Sequence, residues 1–220
     1  MSDYSIDALI TNYVKNEIHP ISRENSWVYC YNAFSQARKL RNSNKFDIDY
    51  LSLHLFAYLS SWGMLRNSFM LKTDYKAQKG IVNIILDEKY DSLQGINCDD
   101  YKHDENIECL FQLKNELSIE YQNIRRNIDG INYVSDTLIS KAMLGTLGCV
   151  PAYDENFIKG LRSSNISGTT FNEKSIKALV NFYCDCEEEF ELTREKEIIR
   201  NYPDMKILDM YLWQLGAAQE

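Results

Sequence analysis

Thr137–Phe157 reads TLISKAMLGTLGCVPAYDENF: a short apolar run carrying one lysine, a stop at Gly148, a restart at Pro151 and then an aspartate. Ser135, just upstream, can cap a helix from Asp136 to Leu147 by accepting from the free N–H groups of its first turn. Gly148 suits a left-handed C-terminal stop. Val150 before a proline is extended, and Pro151 can open the next helix because its missing N–H has no partner to lose there. The stretch therefore specifies a corner between two helices. Two readings of its charged residues stay open: Asp154 as an ordinary helix-start carboxylate with Lys141 facing solvent, or the two as a working pair.

Outward from this corner the helical period continues. Tyr4–Asn16 places Ile6, Leu9, Ile10, Tyr13 and Val14 on one face, and Ser26–Leu40 does the same with Trp27, Cys30, Tyr31, Phe34 and Ala37. Asp47–Trp62 is more apolar all round, the pattern of a central helix covered by neighbours. Further helices are expected over Asp74–Leu86 and from Asp104 to about Ile128, with the polar stretch Asp91–Lys102 between them as the longest loop. Thr170 and Glu173 have capping-box spacing, and Pro203 can open a last helix, Asp204–Leu215, that Gly216 ends. No alternating run is long enough for a sheet. The expectation is an all-α, multi-helix globular fold, either one domain over residues 1–220 or two interleaved lobes, about 1–130 and 131–220.

Composition narrows the class. The chain has 220 residues, of which 45% are hydrophobic, enough for an ordinary core. It shows neither a secretory leader pattern nor the roughly 20-residue apolar run of a membrane span. Its six cysteines lack a small-domain disulfide framework. A cytoplasmic address without membrane partners is the expectation. The net charge of -8 is uneven. From Arg23 to Lys79 basic residues (among them Lys45) outnumber acidic ones, whereas Asp87–Glu120 and Asp185–Glu197 are acidic blocks, so a basic patch is one reading and ordinary mixed surface charge the other.

Common chemistries are absent from the sequence. Cys184 and Cys186, two apart in a helical pattern, do not point together, and no second pair stands at zinc spacing. His19, His54 and His103 form no metal motif, and there is no Walker loop, dinucleotide fingerprint or nucleophile elbow. No metal or cofactor is expected.

Ser140-Lys141-Ala142 in a helix, followed by Cys149-Val150-Pro151-Ala152-Tyr153-Asp154, resembles the core of the helix-hairpin-helix DNA glycosylase superfamily. The resemblance implies two helical lobes flanking a cleft, duplex DNA as partner, extrusion of a modified or unusual base, and hydrolysis of its N-glycosidic bond in repair or antiviral defence. Asp154 becomes the carboxylate that stabilises positive charge on the sugar, helped by the first turn of a helix after Pro151. Lys141 becomes the amine of a lyase step, if there is one, with Leu138, Ala142 and Leu144 as an apolar setting.

Trp62, Arg66 and Ser68, where Gly63 interrupts a hydrophobic helix, are candidate substrate contacts; so are Tyr153 and, four apart in the last helix, Asp209 and Trp213. Lys72, Lys76 and Lys79, at spacings that share one helix face, and Arg125 and Arg126 are candidate phosphate contacts. Against this stands a second class, a non-catalytic helical interaction or regulatory module, supported by the acidic total charge and the 15 tyrosines.

Overall fold

The computed structural model describes residues 5–41, 46–195 and 198–219; Tyr4, Lys45, Lys196 and Glu197, counted above, lie outside them. The described residues are helical and contain no strand: α1 (Ile6–Glu17), α2 (Glu24–Leu40), α3 (Ile48–Ser61), α4 (Lys79–Ile85), α5 (Asp104–Asp129), α6 (Asp136–Thr146), α7 (Glu155–Ser163), α8 (Glu173–Asp185), α9 (Glu187–Arg194) and α10 (Asp204–Ala217). Local chemistry starts many of them. Ser5, Asp47 and Ser135 each accept from a first-turn N–H of α1, α3 and α6. Gly130 ends α5 in the left-handed conformation.

The centre belongs to α6 and α10. Every α6 residue from Leu138 to Thr146 is buried, and so is every α10 residue from Asp204 to Leu212. The Trp27 indole of α2 donates to the Leu144 carbonyl of α6 at 3.0 Å. The expected central helix, α3, buries Leu51, Leu55, Tyr58 and Leu59 and packs against α2, α4 and α6 but leaves Tyr50 and Leu53 exposed, so it is a flanking element.

Several local expectations are corrected. Pro151 does not open a helix: residues 151–154 form a non-helical connector, turned by an Asp154 N–H bond to the Ala152 carbonyl at 2.8 Å, and Asp154 is the N-cap of α7, not a first-turn residue. Asn172, not Thr170, caps α8, because its side chain reaches the Ser175 N–H at 3.0 Å. Gly216 does not end α10, which runs on to Ala217; it permits the close crossing of α10 on α7. The stretch 91–102 is not an open loop. It contains short 3-10 turns, Glu88–Leu93 and Cys98–Lys102, that bury Leu93, Cys98 and Tyr101, and Ile96 between them is buried too. Lys72, Lys76 and Lys79 do not share a helix face, since they sit on the 3-10 turn Phe69–Lys72, the 3-10 turn Tyr75–Gln78 and the start of α4.

Candidate active site

Two helix ends meet beside α6. The turn that closes α3 brings Gly63 to φ +79°, with its N–H on Ser60 O and the Met64 N–H on Leu59 O. The Trp62 carbonyl accepts from the Lys141 Nζ at 3.0 Å. A helix C-terminus carries partial negative charge, so an ammonium is favoured there. The opposite case is 3.1 Å away from the same amine: the Asp154 carboxylate, whose Oδ2 pairs with Lys141 and whose Oδ1 accepts from the Phe157 N–H at the positive end of α7. Each charge thus stands at the helix end that stabilises it. The Lys141 side chain is 6% exposed and that of Asp154 16%, which places the pair at the inner wall of the site.

That wall opens on a cleft of about 570 Å3 lined by Arg23, Trp62, Arg66, Lys141, Asp154 and Trp213, among others. The Arg23 guanidinium lies 4.5 Å from the Trp62 ring centroid and 5.2 Å from that of Trp213, so the cleft has an aromatic side with a cation upon it. A smaller cavity of about 230 Å3 lies across the 63–66 turn, lined by Arg66, Ser68, Phe69, Arg125 and Tyr133. Gly63, Met64 and Arg66 line both. Arg66 is exposed and makes no ion pair with a described residue.

Behind the cleft is a buried ionic cluster. Lys206 of α10, 1% exposed, stands 3.1 Å from Glu24 Oε1, 3.2 Å from Glu24 Oε2 and 3.6 Å from Asp209 Oδ2. Tyr13 of α1 donates to Glu24 at 2.9 Å. Asp209 Oδ1 accepts from the Ala152 N–H at 2.9 Å. Burial pushes the Asp209 carboxyl up to about 6; the nearby charges of Asp154 and Glu24 add to the rise, and Lys206 and the Ala152 N–H oppose it. The Trp62 ring lies over this cluster as well, 5.4 Å from Lys206 Nζ.

Of the residues selected from the sequence, Asp154, Lys141, Trp62, Arg66 and Trp213 converge on the cleft, while Ser68 and Arg125 line the cavity beside it. Two do not line the cleft. Asp209 is buried in the ionic cluster, and Tyr153 is buried with its hydroxyl on Ser175 and its ring stacked on Phe171. Among the proposed phosphate contacts, Lys79 pairs with Asp49 at 2.7 Å and Arg126 bonds to Asn123; Lys72 and Lys76 are exposed without an ion pair to a described residue. Arg23, Glu24 and Lys206 were not selected. For Lys206 a signal was present: two charges three apart in the apolar run of α10 must either face solvent or find partners inside. Arg23 carried none, because its place depends on two tryptophans from distant helices.

Comparison with protein-family models, curated proteins and solved structures finds no match.

Proposed function

We propose that the cleft is the active site of a DNA N-glycosylase that removes a modified or unusual base from DNA. The observation that carries this reading is the buried Lys141–Asp154 pair at the wall of a cleft that also presents Trp62, Trp213 and Arg66. In the hydrolysis, the C1′–N bond breaks with its electron pair passing to the departing base, which takes up a proton, and a water oxygen bonds to C1′ as its own proton leaves. Positive charge develops on the sugar between these events, and a fixed carboxylate lowers its energy. Asp154 is held for that role by the α7 N-terminus. Lys141 orients it. For Lys141 to attack C1′ in a lyase step, its proton must first move, and Asp154 Oδ2 is the acceptor 3.1 Å away. The aromatic wall suits the stacking of an extruded base, and Arg66 stands where a phosphate would flank it. A role in repair or in defence against foreign DNA fits the same chemistry.

One observation favours the other class, a non-catalytic helical module: Lys141 and Asp154 already have helix-end partners that satisfy both. Base release separates the two. Oligonucleotides and phage DNA with modified bases are incubated with the protein and cleaved with alkali. Asp154→Asn is expected to lower release at least a hundredfold with its circular dichroism unchanged; full activity in that variant rejects Asp154, and no release by the wild type on any substrate favours the module.

A further inference from the structure

We propose that Asp209, which does not line the cleft, is a positioning residue that sets the field and place of the Lys141–Asp154 pair and makes the site pH-sensitive. This rests on the glycosylase reading for its effect on rate, but its geometry stands by itself. The connector 151–154 has little helical support, because α7 begins only after Asp154. From the side of α10 it is held by a buried carboxylate, Asp209 Oδ1 on the Ala152 N–H at 2.9 Å, two residues before Asp154. From the side of α6 it is held by Ser140 Oγ on the Tyr153 N–H at 2.9 Å. Asp154 therefore stands at the end of a strap anchored at both of its preceding residues, and one anchor is ionisable.

The groups that face Asp209 are Lys206 on α10 itself, Glu24 on α2, Tyr13 on α1, Tyr58 on α3, and Asp154 with the Ala152 N–H on the connector. Two ammonium groups, Lys141 and Lys206, share this buried region with three carboxyl groups, Glu24, Asp154 and Asp209. With Asp209 ionised the set carries one excess negative charge, and with Asp209 protonated it is neutral. The excess charge acts through a medium of low polarity on a cation forming beside Asp154. Protonation also turns the Oδ2 side into a donor facing the Lys206 ammonium, so that tie weakens while the Glu24–Lys206 pair remains. The Asp209 carboxyl, raised to about 6 by burial, changes state within a range where the fold can be assayed.

The test uses Asp209→Asn, which keeps an acceptor for the Ala152 N–H but no charge, and Asp209→Leu, which removes both. In full-length protein labelled with 13C-aspartate, the Asp154 carboxyl carbon is expected to show a step near pH 6 that disappears in Asp209→Asn. Base release by the wild type is expected to fall about tenfold as pH drops through 6, less than the hundredfold or more of a direct contact. Asp209→Asn should be slow and without that step, and Asp209→Leu slower still. An Asp154 step that persists in Asp209→Asn, or its absence in the wild type, overturns the inference, as does a wild-type rate profile in Asp209→Asn. If even the wild type releases no base, the glycosylase reading has failed and the carbon-13 titration alone decides the role of Asp209.

Discussion

Asp209 shows what a buried charge costs and what it gives. Its carboxyl is raised to about 6 in the folded protein, against about 3.9 in an unfolded chain. The folded state thus holds the proton more tightly, and the stability this supplies is fully present below about pH 4 and lost as pH rises through 6. Asparagine imitates the protonated form at every pH. Asp209→Asn is therefore expected to match the wild type in urea unfolding near pH 4 and to exceed it at pH 7.5 by roughly 2–3 kcal/mol, the worth of a carboxyl raised to about 6. A less stable variant at pH 7.5 would show that the Lys206 attraction outweighs the desolvation. Stability gained with rate lost is the trade expected of a charge kept for the site. The sequence carried part of this: DMKILDMYLWQLG, with charges inside an apolar run, announces buried ionisable groups. What it could not carry is the direction in which Asp209 turns. Helical spacing puts Asp209 and Trp213 on one side, yet only the distant Ala152 N–H and Lys206 decide that the acid lies behind the cleft and the indole within it.

The corner of α6 and α7 was legible because its signals are local. Ser135 caps and Gly148 takes φ +64°, each from its own chemistry and that of its neighbours. Asp154 as N-cap was missed because Pro151 also suits a helix start, whereas the connector that moves the start of α7 on to Glu155 is held from α6 and α10. Gly216 illustrates the same limit. A glycine after an apolar run looks like a stop, but here α10 continues and crosses α7 so closely that a Cβ on Gly216 would overlap the Asn156 carbonyl, and one on Gly160 the Leu212 carbonyl. Backbone cannot give way as a flexible side chain does. Gly160→Ala is expected to cost about 3 kcal/mol, the upper end for overpacking, although alanine favours an isolated helix. Gly130→Ala is the control: its φ of +76° is strained for alanine, but nothing lies within 4 Å of its Cβ, so about 1 kcal/mol is expected. Chemical denaturation of both decides. Equal costs would mean that the crossing relaxes.

At the scale of the molecule, the uneven charge in the sequence becomes a question of which cations remain available. Most of the basic residues outside the 62–76 stretch are committed: Arg38 and Arg41 to Asp91, Lys79 to Asp49, Lys89 to Glu116, Lys114 to Asp136 and Arg194 to Asp204. Arg66, Lys72 and Lys76 make no ion pair with a described residue; Arg66 lines both cavities, and Lys72 and Lys76 follow on the two 3-10 turns. The acidic start of α9, Glu187–Glu189, is exposed, so a polyanion is repelled by part of the surface; Lys15, Lys39, Arg162 and Lys174 are also exposed without an ion pair to a described residue, but of all these cations only Arg66 lines the cleft. If DNA is the partner, binding must be weak at physiological salt and steeply salt-dependent. Three phosphate contacts give a slope of roughly -3 in log K against log salt. Arg66→Glu with Lys72→Glu should remove most of that slope in a fluorescence-anisotropy titration, whereas Lys177→Glu, on the exposed face of α8, should change it little. A duplex that is not bound even at low salt, or is bound with a slope unchanged by the double variant, would separate the cleft from DNA and leave its aromatic wall to a ligand that carries no phosphates.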